Sequence, residues 1–182
     1  MTTPPTPHFC LHPSPIGDIL IVTVDDGIVL LHPVDDVDAE LERAALMLQA
    51  LPVHDATDAA INEAARQLDE YFSGERREFE LPLDWGLVSG FTREALKAVG
   101  DIPYGETAGY GEVAITAGSP GAARAVGTAC ARTPFSIVVP VHRVVRADGS
   151  LGEYGGRPEM KKYLIDLELN EVEQDEREAA GV

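Results

Sequence analysis

With 182 residues, 45% of them hydrophobic, the chain is long enough to bury a core in one large domain or two small ones, which excludes wholesale disorder. No stretch approaches the roughly 18 consecutive apolar residues of a membrane span, and the start MTTPPTPHF has neither the basic region nor the apolar run of a signal peptide, so a cytoplasmic protein with no membrane partner is expected. The formal net charge of -17 speaks against nucleic acid when taken as one number, but residues 1–90 hold 4 Lys/Arg against 17 Asp/Glu, residues 91–168 hold 9 against 9 and residues 169–182 hold 1 against 5, leaving a neutral middle compatible with a local positive patch.

His8, Cys10 and His12 alternate, so an extended chain places all three on one face as candidate metal ligands. Beside a Pro-rich start and with no fourth ligand the spacing reads as accidental, and no metal is expected. From Ser14 to His32 two β-branched and Leu-rich runs flank Asp25-Asp26-Gly27, a tight-turn signal, and predict a hairpin. Residues 37–50 and 58–72 carry apolar side chains at helical spacing, such as Ala60, Ala64, Leu68 and Phe72, and predict two helices, the second stopped by Ser73-Gly74-Glu75. REFELPLDWG is then extended, and a linker with a domain boundary is expected near residues 82–90.

Beyond the linker short helices are expected over Phe91 to Val99 and around Tyr110 to Ala117, with the turn Ile102-Pro103-Tyr104-Gly105-Glu106-Thr107 between them. Gly118-Ser119-Pro120 predicts a tight joint with Ser119 as N-cap and Pro120 as first residue of a helix reaching Arg132, which makes a helix-turn-helix. That last helix is unusually small: Ala122, Ala123, Ala125 and Gly127 leave Arg124 as the only long side chain of its first two turns. Small residues permit close helix packing, and equally a narrow helix can press into a DNA minor groove with Arg124 projecting. Cys10 and Cys130 are far apart, with no CxxC spacing, so both are expected as reduced thiols; Cys130 reads as a small buried hydrophobe rather than a nucleophile.

An apolar, strand-like run from Ser136 to Val139 leads into Pro140-Val141-His142-Arg143-Val144-Val145. This segment resembles the PCHRV motif of the O6-alkylguanine-DNA alkyltransferases, the methylated-DNA–protein-cysteine methyltransferases, with valine where that family has its reactive cysteine. IPYGET at 102–107, Tyr110, GAARAVG at 121–127, Tyr154-Gly155-Gly156, a C-terminal helix ending at Glu168 and, earlier, SPIG and LDEYFSGERREFELPLD stand in the family's order and approximate spacing, over roughly residues 10–170. The resemblance implies a ribonuclease H-like α/β domain of small sheet plus helices over residues 1–85. A mostly α, winged-helix-like DNA-binding domain with a helix-turn-helix follows over 86–170, and an acidic tail over 171–182, read as a solvated, frayed end.

The resemblance also assigns roles. Arg124 is similar to the finger that fills the space of an extruded guanine, Tyr110 to the residue that crowds the adjacent phosphate, and Ala122, Ala123 and Gly127 to the narrow helix surface on DNA. Pro140, Val141, Thr133, Tyr154, Gly155 and Gly156 correspond to the alkylguanine pocket. His142 and Glu168 match the last two members of a Cys–water–His–Glu relay that activates the thiol. Val141 has no lone pair, so no catalytic residue is assigned with the relay incomplete, and His142 with Glu168 also reads as a core pair tying the loop to the last helix. Thr133 stands where the family usually has a bracing asparagine, and Glu153 puts an acid beside Tyr154.

The implied function is a DNA-repair protein that binds and flips O6-alkylguanine in duplex DNA without transfer, similar to the alkyltransferase-like proteins, although those often lack the first domain that this chain keeps. A monomer with no cofactor is expected, with double-stranded DNA containing O6-alkylguanine as partner and other repair proteins as further candidates. Two alternatives stay open: a methyltransferase still active through Cys130 or a rearranged site, and an acidic partner-binding module that has lost DNA.

Overall fold

The computed structural model describes residues 5–25 and 27–181. Asp26 of the expected Asp25-Asp26-Gly27 turn and the first four residues of the Pro-rich start lie outside the described residues. The chain divides into two compact units, residues 1–87 and 88–182.

The first unit is built on a four-stranded sheet. β1 (His8–Ser14), β2 (Gly17–Val24) and β3 (Gly27–Pro33) form an antiparallel meander, so a strand precedes the expected hairpin. α1 (Val37–Leu48) is capped by the Asp36 carboxylate, which accepts from Ala39 N at 3.0 Å. β4 (Val53–His54) then adds to β1 in parallel, giving the order β3-β2-β1-β4, and α2 (Ala59–Phe72) is capped by Asp58 accepting from Ile61 N at 2.9 Å. β2 is buried on both faces because a helix covers each. Leu20 and Val22 pack with Leu30 and with Leu41 and Ala44 of α1. Thr23, on the opposite side of the pleat, donates to the α2 cap Asp58 at 3.0 Å, which places α2 over the other face.

The expected linker differs in its first half. Ile28 N donates to Pro82 O and Asp84 N donates to Ile28 O, both at 2.8 Å, so residues 82–84 are stitched along β3 before a 3-10 turn at Trp85–Leu87. The outer edge of β3 would otherwise leave its peptide groups unpaired, and the extended arm satisfies them.

The second unit is mostly helical. α3 (Gly90–Gly100) leads through the 102–107 turn to β5 (Ala108–Gly109), α4 (Tyr110–Thr116) and α5 (Ala123–Ala131). Ala95, Leu96, Val99, Val113, Ala114, Val126 and Ala129 are buried where these three helices pack, and α4 with α5 makes the helix-turn-helix. Ser119 is not the N-cap of α5. Gly118 and Gly121 have φ of 77° and 90°, which breaks the helix there, so Ser119 accepts from Ala122 N in a turn and α5 starts at Ala123 with no side-chain cap.

The Ser136–Val139 run is not a strand either. Ile137 holds a left-handed φ of 75° at 1% exposure, and Val139 N bonds back to Phe135 O at 2.8 Å, so burial of Ile137 fastens a tight loop. A 3-10 turn over Val141–Arg143 follows, then β6 (Val144–Val145), which pairs in parallel with β5. α6 runs over Pro158–Ala179, so the segment read as a frayed acidic tail is helical to within a few residues of the end. It contains no Pro or Gly before Gly181, and Glu173 with Arg177 and Gln174 with Glu178 bridge successive turns at 3.2 Å. Among the described residues no helix is long and apolar enough to cross a membrane.

Candidate functional site

The candidate site lies wholly in the second unit, where the Val141–Arg143 turn meets the 102–107 turn and α6. Pro140 precedes a tight 3-10 turn in which Val141, His142 and Arg143 are all buried. Val141 is 4% exposed, and its N–H is held by Val139 O at 2.8 Å. His142 and Arg143 instead reach α6.

Glu168 of α6 is the node of this arrangement. Its carboxylate accepts from His142 Nε2 at 2.7 Å, from Arg143 Nε at 2.9 Å and Nη2 at 3.0 Å, and from Gly105 N at 3.1 Å. These donors use about all the four lone-pair directions a carboxylate has. Burial alone would raise the Glu168 pKa, but the His142 and Arg143 bonds outweigh it and hold the group at about 2. His142 is fully buried, and burial lowers its pKa against the pull of Glu168. A neutral imidazole bonded to a carboxylate through Nε2 must carry its proton there, which makes Nδ1 an acceptor.

Arg143 completes the tie. Its Nη1 donates to Ile102 O at 2.6 Å, and its guanidinium lies 5.5 Å from the centre of the Tyr104 ring. Gly105 fits because it has no side chain: at φ 77° an added Cβ would sit 2.7 Å from Val172 Cγ2 of α6. The bland reading of His142 and Glu168 as a core pair is thus too small, since two turns and a helix are joined through one carboxylate.

A second cluster surrounds Tyr110. Its ring rests on α5 where Gly127 leaves room, with ring carbons 3.8 and 3.9 Å from the position of a Cβ there, and its hydroxyl is 3.3 Å from the corresponding point at Gly152. Burial raises the Tyr110 pKa, with Cys130 and Glu153 acting in the same direction and Arg146 against them. Lys161 of α6 is buried with Nζ 2.5 Å from Val144 O and 6.0 Å from the centre of the Tyr110 ring, and burial brings its pKa down to about 8. Burial pushes the nearby Cys130 thiol up to about 11, so it stays protonated near neutrality and is a poor nucleophile.

The remaining candidates are placed as follows. Ala122 precedes α5 and Ala123 begins it, with Arg124 exposed on its first turn. Thr133 is buried and its hydroxyl accepts from Phe135 N at 3.2 Å, a local bond that fastens the start of the loop. The Tyr154 hydroxyl is buried beside Ser136; burial raises its pKa against the opposing pull of Ser136 and Arg157 and keeps it protonated. Gly155 and Gly156 follow as exposed residues at φ of 57° and 78°, and Glu153 is exposed. In the first unit His8, Cys10 and His12 do lie on one strand. They face different partners, namely Asp58 at 3.1 Å, His54 at 3.8 Å and Asp69 at 2.8 Å, and no metal-binding group of three is formed among the described residues.

Sequence reasoning did not single out Arg143, Gly105 or Lys161. Lys161, Leu164 and Glu168 recur at helical spacing, and that periodicity marks Lys161 as belonging to the same buried face as Glu168. Gly105 carried its signal in the Tyr-Gly turn, where a left-handed residue is expected.

Two family models match. Residues 8–85 match the ribonuclease-like domain, and residues 90–170 the DNA binding domain, of 6-O-methylguanine DNA methyltransferase. A methylated-DNA–protein-cysteine methyltransferase of Mycobacterium leprae is 40% identical over 159 residues, 87% of this chain and 90% of the relative. The O6-methylguanine methyltransferase structure of Mycobacterium tuberculosis has a TM-score of 0.75 at 36% identity, covering 91% of this chain and 94% of that one. A DNA complex of the OGT protein from the same organism gives 0.77 at 36% identity, covering 90% and 94%.

Proposed function

The chain belongs to the 6-O-methylguanine DNA methyltransferase family, and we propose that it recognises O6-alkylguanine in duplex DNA without accepting the alkyl group. The observation that carries this reading is Val141, buried in the turn beside His142 at the position matching the family's acceptor cysteine. Alkyl transfer is a displacement at carbon: a lone pair on the acceptor forms the new bond as the guanine oxygen leaves with the old one. Isopropyl has no such pair. His142 keeps its Nε2 on Glu168 and Cys130 keeps its proton, so neither replaces the thiolate.

Several features support recognition. Arg124 projects from a helix narrow enough for a minor groove, and Tyr110 is clamped between Gly127 and Gly152, where its bulk can crowd a phosphate. Tyr154, whose buried hydroxyl stays protonated beside Ser136, stands in the loop that would close over a flipped base. Extruding a base costs a few kcal/mol, which these contacts must offset. The protein then acts as a lesion marker for other repair proteins.

Fluorescence titration of matched duplexes with and without O6-methylguanine tests the reading. Tighter binding of the lesion duplex is expected, and Arg124→Ala should reduce that preference by about tenfold or more, the size of a lost few-kcal/mol contribution to flipping. Equal and weak binding of both duplexes by the unaltered protein would refute it.

A further inference from the structure

In this acidic chain most cations are already engaged. Arg43, Arg66 and Arg76 of the first unit, and Lys97, Arg143, Lys162 and Arg177 of the second, have carboxylates within ion-pair distance, while Lys161 is buried on a carbonyl. Arg124, Arg132 and Arg146 differ: among the described residues their exposed side chains have no carboxylate within 4 Å and make no side-chain hydrogen bond, and Arg146 acts on Asp148 only at longer range. All three lie in the second unit. Only Arg124 has a role from the resemblance.

Their positions are related. Arg132 is the C-cap of α5, eight residues after Arg124 and hence about 12 Å along the helix axis. A minor groove is only about 6 Å wide, so a helix with Arg124 in the groove carries Arg132 beyond its edge, to the bordering strand. Arg146 follows β6 and lies near the Tyr110 hydroxyl: its Cγ and Nε are 3.5 and 3.6 Å from the Gly152 Cβ position that the hydroxyl also approaches. The turn holding it is fixed by Arg146 N on Ser150 O and Gly149 N on Arg146 O, both at 2.9 Å.

We infer that Arg132 and Arg146 are backbone-phosphate contacts flanking the Tyr110 and Arg124 pair, and that they supply the local attraction by which a chain of net charge -17 holds a polyanion. The inference rests on the DNA-binding reading above. An exposed arginine with no carboxylate in direct contact is poised for such a ligand, because binding phosphate does not first require a close ion pair to break. Phosphate contacts orient the duplex and carry no base information, so they add affinity equally to damaged and undamaged DNA.

The test is a fluorescence-anisotropy titration of lesion and unmodified duplexes over a series of potassium chloride concentrations, using the full chain, Arg132→Gln, Arg146→Gln and the ion-paired control Arg177→Gln. Each of the first two should flatten the plot of log affinity against log salt by about 0.9, the value for one released phosphate contact. Affinity should fall by the same factor on both duplexes, and Arg177→Gln should match the unaltered chain. Slopes and affinities unchanged in both variants would overturn the inference alone. An unaltered chain that binds neither duplex at any salt would overturn it together with the reading beneath it.

Discussion

Glu168→Ala is expected to destabilise the second unit by about 3–5 kcal/mol, the cost of removing one partner from a buried ion pair. The size follows from what remains. Arg143 would keep a buried charge held by Ile102 O and the Tyr104 ring without its carboxylate, His142 would lose its Nε2 acceptor, and Gly105 N would lose its bond across to α6. Denaturant unfolding followed by far-ultraviolet circular dichroism measures the loss, because the second unit is mostly helical while the only tryptophan, Trp85, belongs to the first.

The same residue sets a pH dependence. Glu168 has a folded pKa of about 2, below its ordinary value of 4.5, so the unfolded chain binds the extra proton between these limits. Its contribution is therefore complete above about pH 4.5 and lost as pH falls through 2. His142 acts in the same direction from its own range: burial lowers its folded pKa below 6.5, so acid favours the unfolded chain there as well. The gap between the unaltered protein and Glu168→Ala should accordingly narrow in acid.

Val141→Cys is expected to create single-turnover alkyl transfer, with a gain on the order of 10⁶-fold, the scale on which covalent nucleophiles matter in other enzymes. On the proposed reading a thiol here would be served by His142, whose Nε2 is held by Glu168 and whose pKa burial lowers. Valine and cysteine are close in volume, so the variant should fold with a change below about 1.5 kcal/mol. Transfer of label from methylated duplex to the variant, followed over time, measures the gain. A folded, DNA-binding variant with no transfer would place the defect outside the nucleophile, at Thr133, whose bond is purely local, or at exposed Glu153.

Part of the fold and of the site was legible because short-range rules govern them. The apolar spacing of α2 and its stop at Ser73-Gly74-Glu75 fix local structure from neighbouring residues alone. The PVHRVV motif and the residues spaced around it identified the turn that meets α6. Failures had two causes. Ser119 and Pro120 look like a helix start until the neighbouring Gly121 adopts a positive φ, and Ser136 to Val139 looks like a strand until burial of Ile137, a tertiary effect, turns it. The 82–84 arm reads as a linker because nothing local announces that β3 needs partners. Arg143 and Gly105 converge on Glu168 across 25 and 63 residues of sequence, a meeting no local spacing encodes.

The separation of recognition from transfer rests finally on the unaltered chain. Intact-mass measurement after incubation with excess O6-methylguanine duplex, on the sample that has just been shown to form the complex, tests it most directly. Lesion-selective complex with the protein mass unchanged is the predicted result; a mass increase of one methylene group on the protein would contradict it.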